Sequence, residues 1–168
     1  MPMGDLREPI TALRRAGIVL LRVSPNAPIH QVSRLAPEAQ VFRCAHKPLG
    51  FRKIDGGEMF ALDWAKGRKV LAFCGIGRPE RFINMLDSLG ADIVGSITFA
   101  DHHAYTDQDI SIIEAEGKAS DAEAVVTTEK DAARLGNLTI SDLYALDIEL
   151  EIEDTSHFAG YIRDKING

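Results

Sequence analysis

The chain has 168 residues, 45% of them hydrophobic and 26% charged, which is enough apolar material for a packed domain and too balanced for disorder. Its formal net charge of −6 argues against a general nucleic-acid binder, whose footprint is basic. Cys44 and Cys74 show neither C-x-x-C spacing nor a disulfide framework, so both are expected to be reduced and partly buried.

From the N-terminus, Met1 to Glu8 lacks the apolar core of a signal peptide. No run in the chain approaches the ~18 apolar residues of a spanning helix. A cytoplasmic protein, at most peripheral on a membrane, is expected. Pro9 to Arg15 reads as a short helix with Pro9 at its first position and Gly17 as its stop. Ile18 to Val23, broken only by Arg22, reads as a buried strand. Pro25 and Pro28 mark the turn after it, Ile29 to Leu35 a second short helix, and Val41 to His46 a further strand. Leu49 to Ile54 and Glu58 to Asp63 flank Asp55-Gly56-Gly57, a turn suited to a β-hairpin. Residues of about 41–63 are thus expected to form a protruding arm on one α/β domain covering 1–168.

Val70 to Cys74 is uniformly apolar, as in a parallel strand covered on both faces. Pro79 opens a helix whose Phe82, Met85, Leu86 and Leu89 share a stripe, and Gly90 stops it. Ile93 to Phe99 is the next strand. Thr106 with Asp109 makes a capping-box pattern, and Thr128 with Asp131 repeats it after a strand at Ala124 to Thr127. Leu143 to Leu146 reads as a strand; Ile148, Leu150 and Ile152, alternating with Glu149, Glu151 and Glu153, read as its half-solvated edge continuation. Phe158, Ile162 and Ile166 give a last helix its apolar face. The alternation predicts an α/β fold: a mostly parallel, Rossmann-like sheet with flanking helices, plus the small hairpin arm.

Open α/β sheets place ligands beyond the carboxyl ends of their strands, which is where Asp101-His102-His103 falls, with Tyr105 and Thr106 following. An imidazole there suits general acid–base work with an adjacent carboxylate; the same residues could merely satisfy loop backbone groups. Gly75-Ile76-Gly77-Arg78-Pro79-Glu80 is either a phosphate cradle or a tight strand-to-helix turn, since Glu80 replaces the third glycine of G-x-G-x-x-G. Thr127-Thr128-Glu129-Lys130-Asp131 offers hydroxyls and a lysine to a phosphate, or simply a helix cap. Arg7 at a helix start is a phosphate ligand or a solvated charge. Arg43, His46, Lys47, Arg52 and Lys53 around Phe42, Leu49 and Phe51 are either a surface for anionic lipid head groups or a solvated hairpin face. There is no G-x-x-x-x-G-K-[ST], no H-E-x-x-H and no G-x-S-x-G.

In order and spacing, five stretches together resemble the lipid A 4'-kinase (tetraacyldisaccharide 4'-kinase) family. They are Leu6-Arg7-Glu8-Pro9, His46-Lys47-Pro48, Ala72 to Gly77 with Pro79-Glu80-Arg81-Phe82, Asp101-His102-His103 with Tyr105-Thr106, and Val126 to Asp131. The resemblance implies the C-terminal half of an inner-membrane-associated kinase that transfers the ATP γ-phosphate, with Mg²⁺, to the 4'-hydroxyl of tetraacyldisaccharide 1-phosphate. It implies that His102 is catalytic with Asp101 in support, acting beside an aspartate of a P-loop half that also holds most of the ATP and Mg²⁺. It places Arg7 and Glu8 near nucleotide and acceptor. His103, Tyr105, Gly75, Gly77, Thr128 and Lys130 are further substrate or phosphate ligand candidates; no metal ligand is assigned. Arg78 stands where the family more often has Asn, and Ala100 where it often has Pro. Without the P-loop half, in cis or in trans, the chain is expected to be inactive. Two alternatives remain: a non-catalytic module that binds or regulates a separate P-loop subunit, and a metal-dependent phosphoesterase, in which Asp-His-His also occurs.

Overall fold

The computed structural model describes residues 8–23 and 29–167. Arg7, Pro25 and Pro28 lie outside the described residues. In chain order the elements are β1 (Ile18–Arg22), α1 (Ile29–Leu35), β2 (Gln40–Lys53), β3 (Met59–Phe60), β4 (Lys69–Cys74), α2 (Pro79–Ser88), β5 (Asp92–Thr98), α3 (Asp107–Ala119), β6 (Ala124–Thr128), α4 (Glu129–Arg134), β7 (Leu143–Ile152) and α5 (Thr155–Asn167). Short 3-10 turns occupy Ile10–Arg15 and Leu62–Ala65. The chain divides into two compact units, Met1–Lys47 with Leu150–Gly168, and Pro48–Glu149.

In the Pro48–Glu149 unit, β4 pairs in parallel with β5 and β6, and β6 with β7. The apolar run on β4 explains its central place: Val70, Leu71, Ala72 and Phe73 are all 0% exposed. Alternate side chains serve opposite faces of the sheet. Val70, Ala72 and Cys74 pack with Phe82 and Leu86 of α2. Leu71 and Phe73 pack with Ile110 and Ile113 of α3. Helices therefore cover both faces, as the strand–helix alternation requires. Pro79 occupies the first turn of α2, and Gly90, at φ +83°, ends it.

β2 is one continuous 14-residue strand, and its antiparallel partner β3 has only two residues. Gly56 and Gly57, with φ of +92° and +71°, carry the turn between them. The return strand expected to reach Asp63 stops early because the chain coils at Leu62–Ala65 and turns Trp64 inward. That ring packs 5.0 Å from Phe51, 5.8 Å from Phe60 and 4.3 Å from Tyr144, centroid to centroid. Phe51 is fully buried, so the base of the hairpin belongs to the core.

β7 lies between β2 and β6, but β6 pairs with it along Leu143–Leu146, and the stretch beyond leaves Ile148 and Leu150 exposed at 39% and 48%, as expected of a half-solvated continuation. Its acidic residues answer the basic residues of β2: Arg52 makes a two-pronged contact with Asp147, both at 2.9 Å, and Lys47 pairs with Glu151 at 3.0 Å. Opposite charges facing each other across strands thus offset part of the acidic face of this stretch.

In the other unit, β1 runs parallel to β2, with Ile18 opposite Gln40. Phe42 on β2 meets the rings of Phe158 and Tyr161 on α5 at 5.0 and 5.9 Å. Ile166, expected on the same apolar face, is 77% exposed because the ring contacts end at Tyr161. No described helix is long and apolar enough to cross a membrane.

Candidate functional site

Three loops of the Pro48–Glu149 unit converge beyond the carboxyl ends of neighbouring strands: 75–78 after β4, 99–106 after β5, and the start of α4 after β6. Backbone bonds tie the first two together. Phe99 N donates to Cys74 O at 2.9 Å, and His102 N to Gly75 O at 3.2 Å. The close approach needs glycine at 75, where an added Cβ would meet Ala100 O at 3.1 Å and His103 Cβ at 3.2 Å. His102 takes a left-handed backbone, φ +61°, which is uncommon outside glycine and turns its side chain outward.

The two adjacent histidines have different surroundings. The His102 side chain is 75% exposed, with Nε2 3.9 Å from Asp101 Oδ2. His103 stacks on Phe99, ring centroids 4.7 Å apart, and its Nε2 lies 3.1 Å from Asp109 Oδ2. That same carboxylate oxygen accepts from Thr106 N at 2.8 Å and Thr106 Oγ1 at 2.7 Å, completing the expected capping box on α3. The Thr106 bonds first, then His103, hold the Asp109 carboxyl below the ordinary aspartate value.

Arg134, from the last turn of α4, is a site residue the sequence did not single out. Its Nη1 donates to Gly75 O at 2.9 Å and Asp131 Oδ1 at 3.0 Å, and its Nη2 lies 3.1 Å from His102 Nδ1. Asp131 is fully buried. It receives a bond from Thr128 Oγ1 at 2.7 Å and returns one from its own N–H at 3.1 Å. Thr128 is therefore engaged as a helix cap. The available signal was the i, i+3 spacing of Asp131 and Arg134 on a capped helix, which places both on one face.

Of the other candidates, Gly77 sits beside Asp101, whose Oδ2 would be 3.2 Å from an added Cβ. Lys130 is exposed on α4. Tyr105 is 8% exposed, and its hydroxyl is buried without a hydrogen bond. Burial, and then the charge of Asp131, push its ionisation well above the ordinary tyrosine range. Glu8 belongs to the other unit, where it forms an ion pair with Arg15. In the basic stretch of β2, Lys47, Arg52 and Lys53 all have carboxylate partners, Lys53 meeting Asp142 at 3.3 Å. Cys44 and Cys74 are both free and buried. A metal-dependent phosphoesterase would need several converging ligands. Among the described residues no group of three or more His, Cys, Asp or Glu is placed to hold a metal ion.

The cluster thus presents an exposed imidazole beside a carboxylate, held from behind by a guanidinium that a buried carboxylate anchors. Such a group can exchange a proton with, or donate a hydrogen bond to, an incoming oxygen.

A family model described as tetraacyldisaccharide-1-P 4'-kinase matches residues 1–167. A tetraacyldisaccharide 4'-kinase of Syntrophus aciditrophicus is 39% identical over 173 positions, covering 94% of this chain and 46% of that protein. One from Desulfatibacillum aliphaticivorans is 38% identical, covering 98% and 47%. Among solved structures, the "apo" form of LpxK from Aquifex aeolicus in complex with ATP has a similar fold, with a TM-score of 0.62 at 24% identity, over 98% of this chain and 47% of that one. The chain spans about half the length of the curated relatives it matches.

Proposed function

The chain belongs to the tetraacyldisaccharide-1-P 4'-kinase family, and on that premise we propose that it supplies the histidine-bearing part of such a kinase. The reaction would carry the ATP γ-phosphate to the 4'-hydroxyl of a tetraacyldisaccharide 1-phosphate at the cytoplasmic face of the inner membrane. Phosphoryl transfer depends on positioning and on neutralising charge more than on covalent chemistry, so the groups that matter are those aimed at the reacting oxygens.

The observation that carries this reading is His102. It is exposed beyond the sheet's carboxyl ends, with Asp101 3.9 Å from Nε2 and Arg134 3.1 Å from Nδ1. His102 would meet the acceptor hydroxyl or the carboxylate that activates it. Asp101 lies on the Nε2 side of the ring, the side that would face the reacting oxygens. His103, tied to Asp109, would keep the loop in shape.

The described residues offer Mg²⁺ no cluster of carboxylates, so no step is assigned to a metal held by this chain. ATP and Mg²⁺ would be held by a P-loop half, in cis or in trans.

The test compares the purified chain alone with the chain supplied with a P-loop half of a relative, as a fusion or in trans. No 4'-phosphorylation by the first, activity by the second and loss of that activity in His102→Ala are expected. Turnover by the chain alone would overturn the reading. Tight association with a P-loop half and no turnover would favour the non-catalytic module.

A further inference from the structure

We propose that Arg134 is a positioning residue that fixes the tautomer of His102, keeping the proton on Nε2 so that the imidazole acts as a hydrogen-bond donor from that nitrogen. A guanidinium has only donors and stays protonated. Its Nη2, 3.1 Å from His102 Nδ1, therefore requires the Nδ1 lone pair as acceptor. A neutral imidazole with Nδ1 bare carries its proton on Nε2.

The arrangement is fixed from two sides. Nη1 of the same guanidinium is held by Gly75 O at 2.9 Å and by the fully buried Asp131 at 3.0 Å. The His102 N–H bonds the same Gly75 carbonyl at 3.2 Å. The His102 backbone and the Arg134 guanidinium thus share one carbonyl oxygen, and the buried carboxylate keeps the guanidinium from turning away. Asp101 Oδ2, at 3.9 Å from Nε2, is too distant for a hydrogen bond, which leaves that N–H for an incoming oxygen.

The consequence rests on the reading of His102 as the group that meets the reacting oxygens. With Nδ1 engaged, Nε2–H can hold a phosphoryl oxygen or orient a carboxylate that serves as base. It does not itself remove the proton of the acceptor hydroxyl. Arg134 acts only through His102 and touches no substrate.

The direct test is ¹⁵N imidazole NMR of the 168-residue chain under conditions where His102 is neutral, its signals identified by their loss in His102→Gln. The expected result is the Nε2–H form alone, with Nδ1 bare and hydrogen-bonded. Arg134→Lys keeps a cation near Asp131, but its single nitrogen cannot stand both where Nη1 meets Gly75 O and Asp131 and where Nη2 meets His102 Nδ1; in that variant a mixture of tautomers is expected. A wild-type ring protonated on Nδ1, or a tautomer ratio unchanged in Arg134→Lys, overturns the proposal. Neither reading requires Arg134→Met, which could fail to fold with Asp131 left unpaired. In the kinase assembled with a P-loop half, Arg134→Lys should lower kcat about 10–100-fold with KM for ATP within a few-fold, as for other orienting partners. A tautomer change with kcat intact would sustain the role of Arg134 and defeat the catalytic reading of His102, so the two failures are distinguishable.

Discussion

His103 donates from Nε2 to Asp109 at 3.1 Å, although His102, its immediate neighbour, points outward and is 75% exposed. One histidine is spent inside the loop and the other is presented. In the kinase assembled with a P-loop half, His102→Ala should lower kcat by about 10²–10³, the range for losing one preorganised hydrogen-bond donor at the reacting oxygens. KM for ATP should stay within a few-fold, since this chain is expected to hold little of the nucleotide. His103→Ala should cost less in kcat and instead lower stability by about 1–2 kcal/mol through the lost stacking and hydrogen bond. Steady-state kinetics beside urea denaturation would check the ordering. The opposite ordering would transfer the catalytic role to His103.

The Asp109 carboxyl carries a pH signature. Its folded-state value is depressed, chiefly by the Thr106 bonds and then by His103. Its stabilising contribution is therefore fully present above the ordinary aspartate value of about 3.9 and is lost as pH falls through the lower folded value. Asp109→Asn should be less stable than the wild type at neutral pH by on the order of 1 kcal/mol. That deficit should shrink as the pH is lowered into the acid range. Urea midpoints for both proteins across that range would show it; a deficit independent of pH would mean that the charge of Asp109 contributes nothing.

What the sequence made legible is what local pattern determines. The uniform run at Val70 to Cys74 predicted a covered central strand, and the Thr106–Asp109 and Thr128–Asp131 spacings predicted two capped helices. The carboxyl-end rule located the Asp101-His102-His103 loop because it needs only strand order. Long-range pairings were not legible. Nothing local tells Trp64 to leave the strand pattern for a pocket made by Phe51 and Tyr144, residues distant in sequence. The β2–β7 ion pairs Lys47–Glu151 and Arg52–Asp147 are of the same kind, since each joins residues about a hundred positions apart. Arg134 reads as an ordinary exposed helix residue until the fold brings Gly75 and His102 within its reach.

The Cys74 thiol should be inert in the folded chain. Burial first, and then the charge of Asp131, push its ionisation up to about 11, and its side chain is 1% exposed. The thiolate is the reactive form, so a disulfide reagent at mildly alkaline pH should modify neither Cys74 nor the buried Cys44 in the native state. Both should react once the chain is unfolded. Fast stoichiometric labelling of one thiol in the native protein would show that its segment opens readily.

Two glycines of the same loop should respond differently to one added methyl group. At Gly77 a Cβ would meet Asp101 Oδ2 at 3.2 Å, the far end of an exposed side chain that can swing aside. At Gly75 it would meet Ala100 O at 3.1 Å, His103 Cβ at 3.2 Å and the buried Tyr105 hydroxyl at 3.2 Å. None of these three gives way without moving the loop. Neither glycine has a positive φ, so the backbone conformation itself does not resist alanine. Gly75→Ala should therefore cost about 1–3 kcal/mol, the range for overpacking a filled site, and Gly77→Ala well under that. The same displacement would pull Gly75 O away from Arg134 and from His102 N, so Gly75→Ala should also lower kcat in the assembled kinase. Thermal unfolding of both variants, followed by kinetics at a temperature where each is folded, separates these effects. Equal stability for the two variants would mean that the 99–106 loop can recede from β4 at little cost, and that Gly75 does not hold His102 in place.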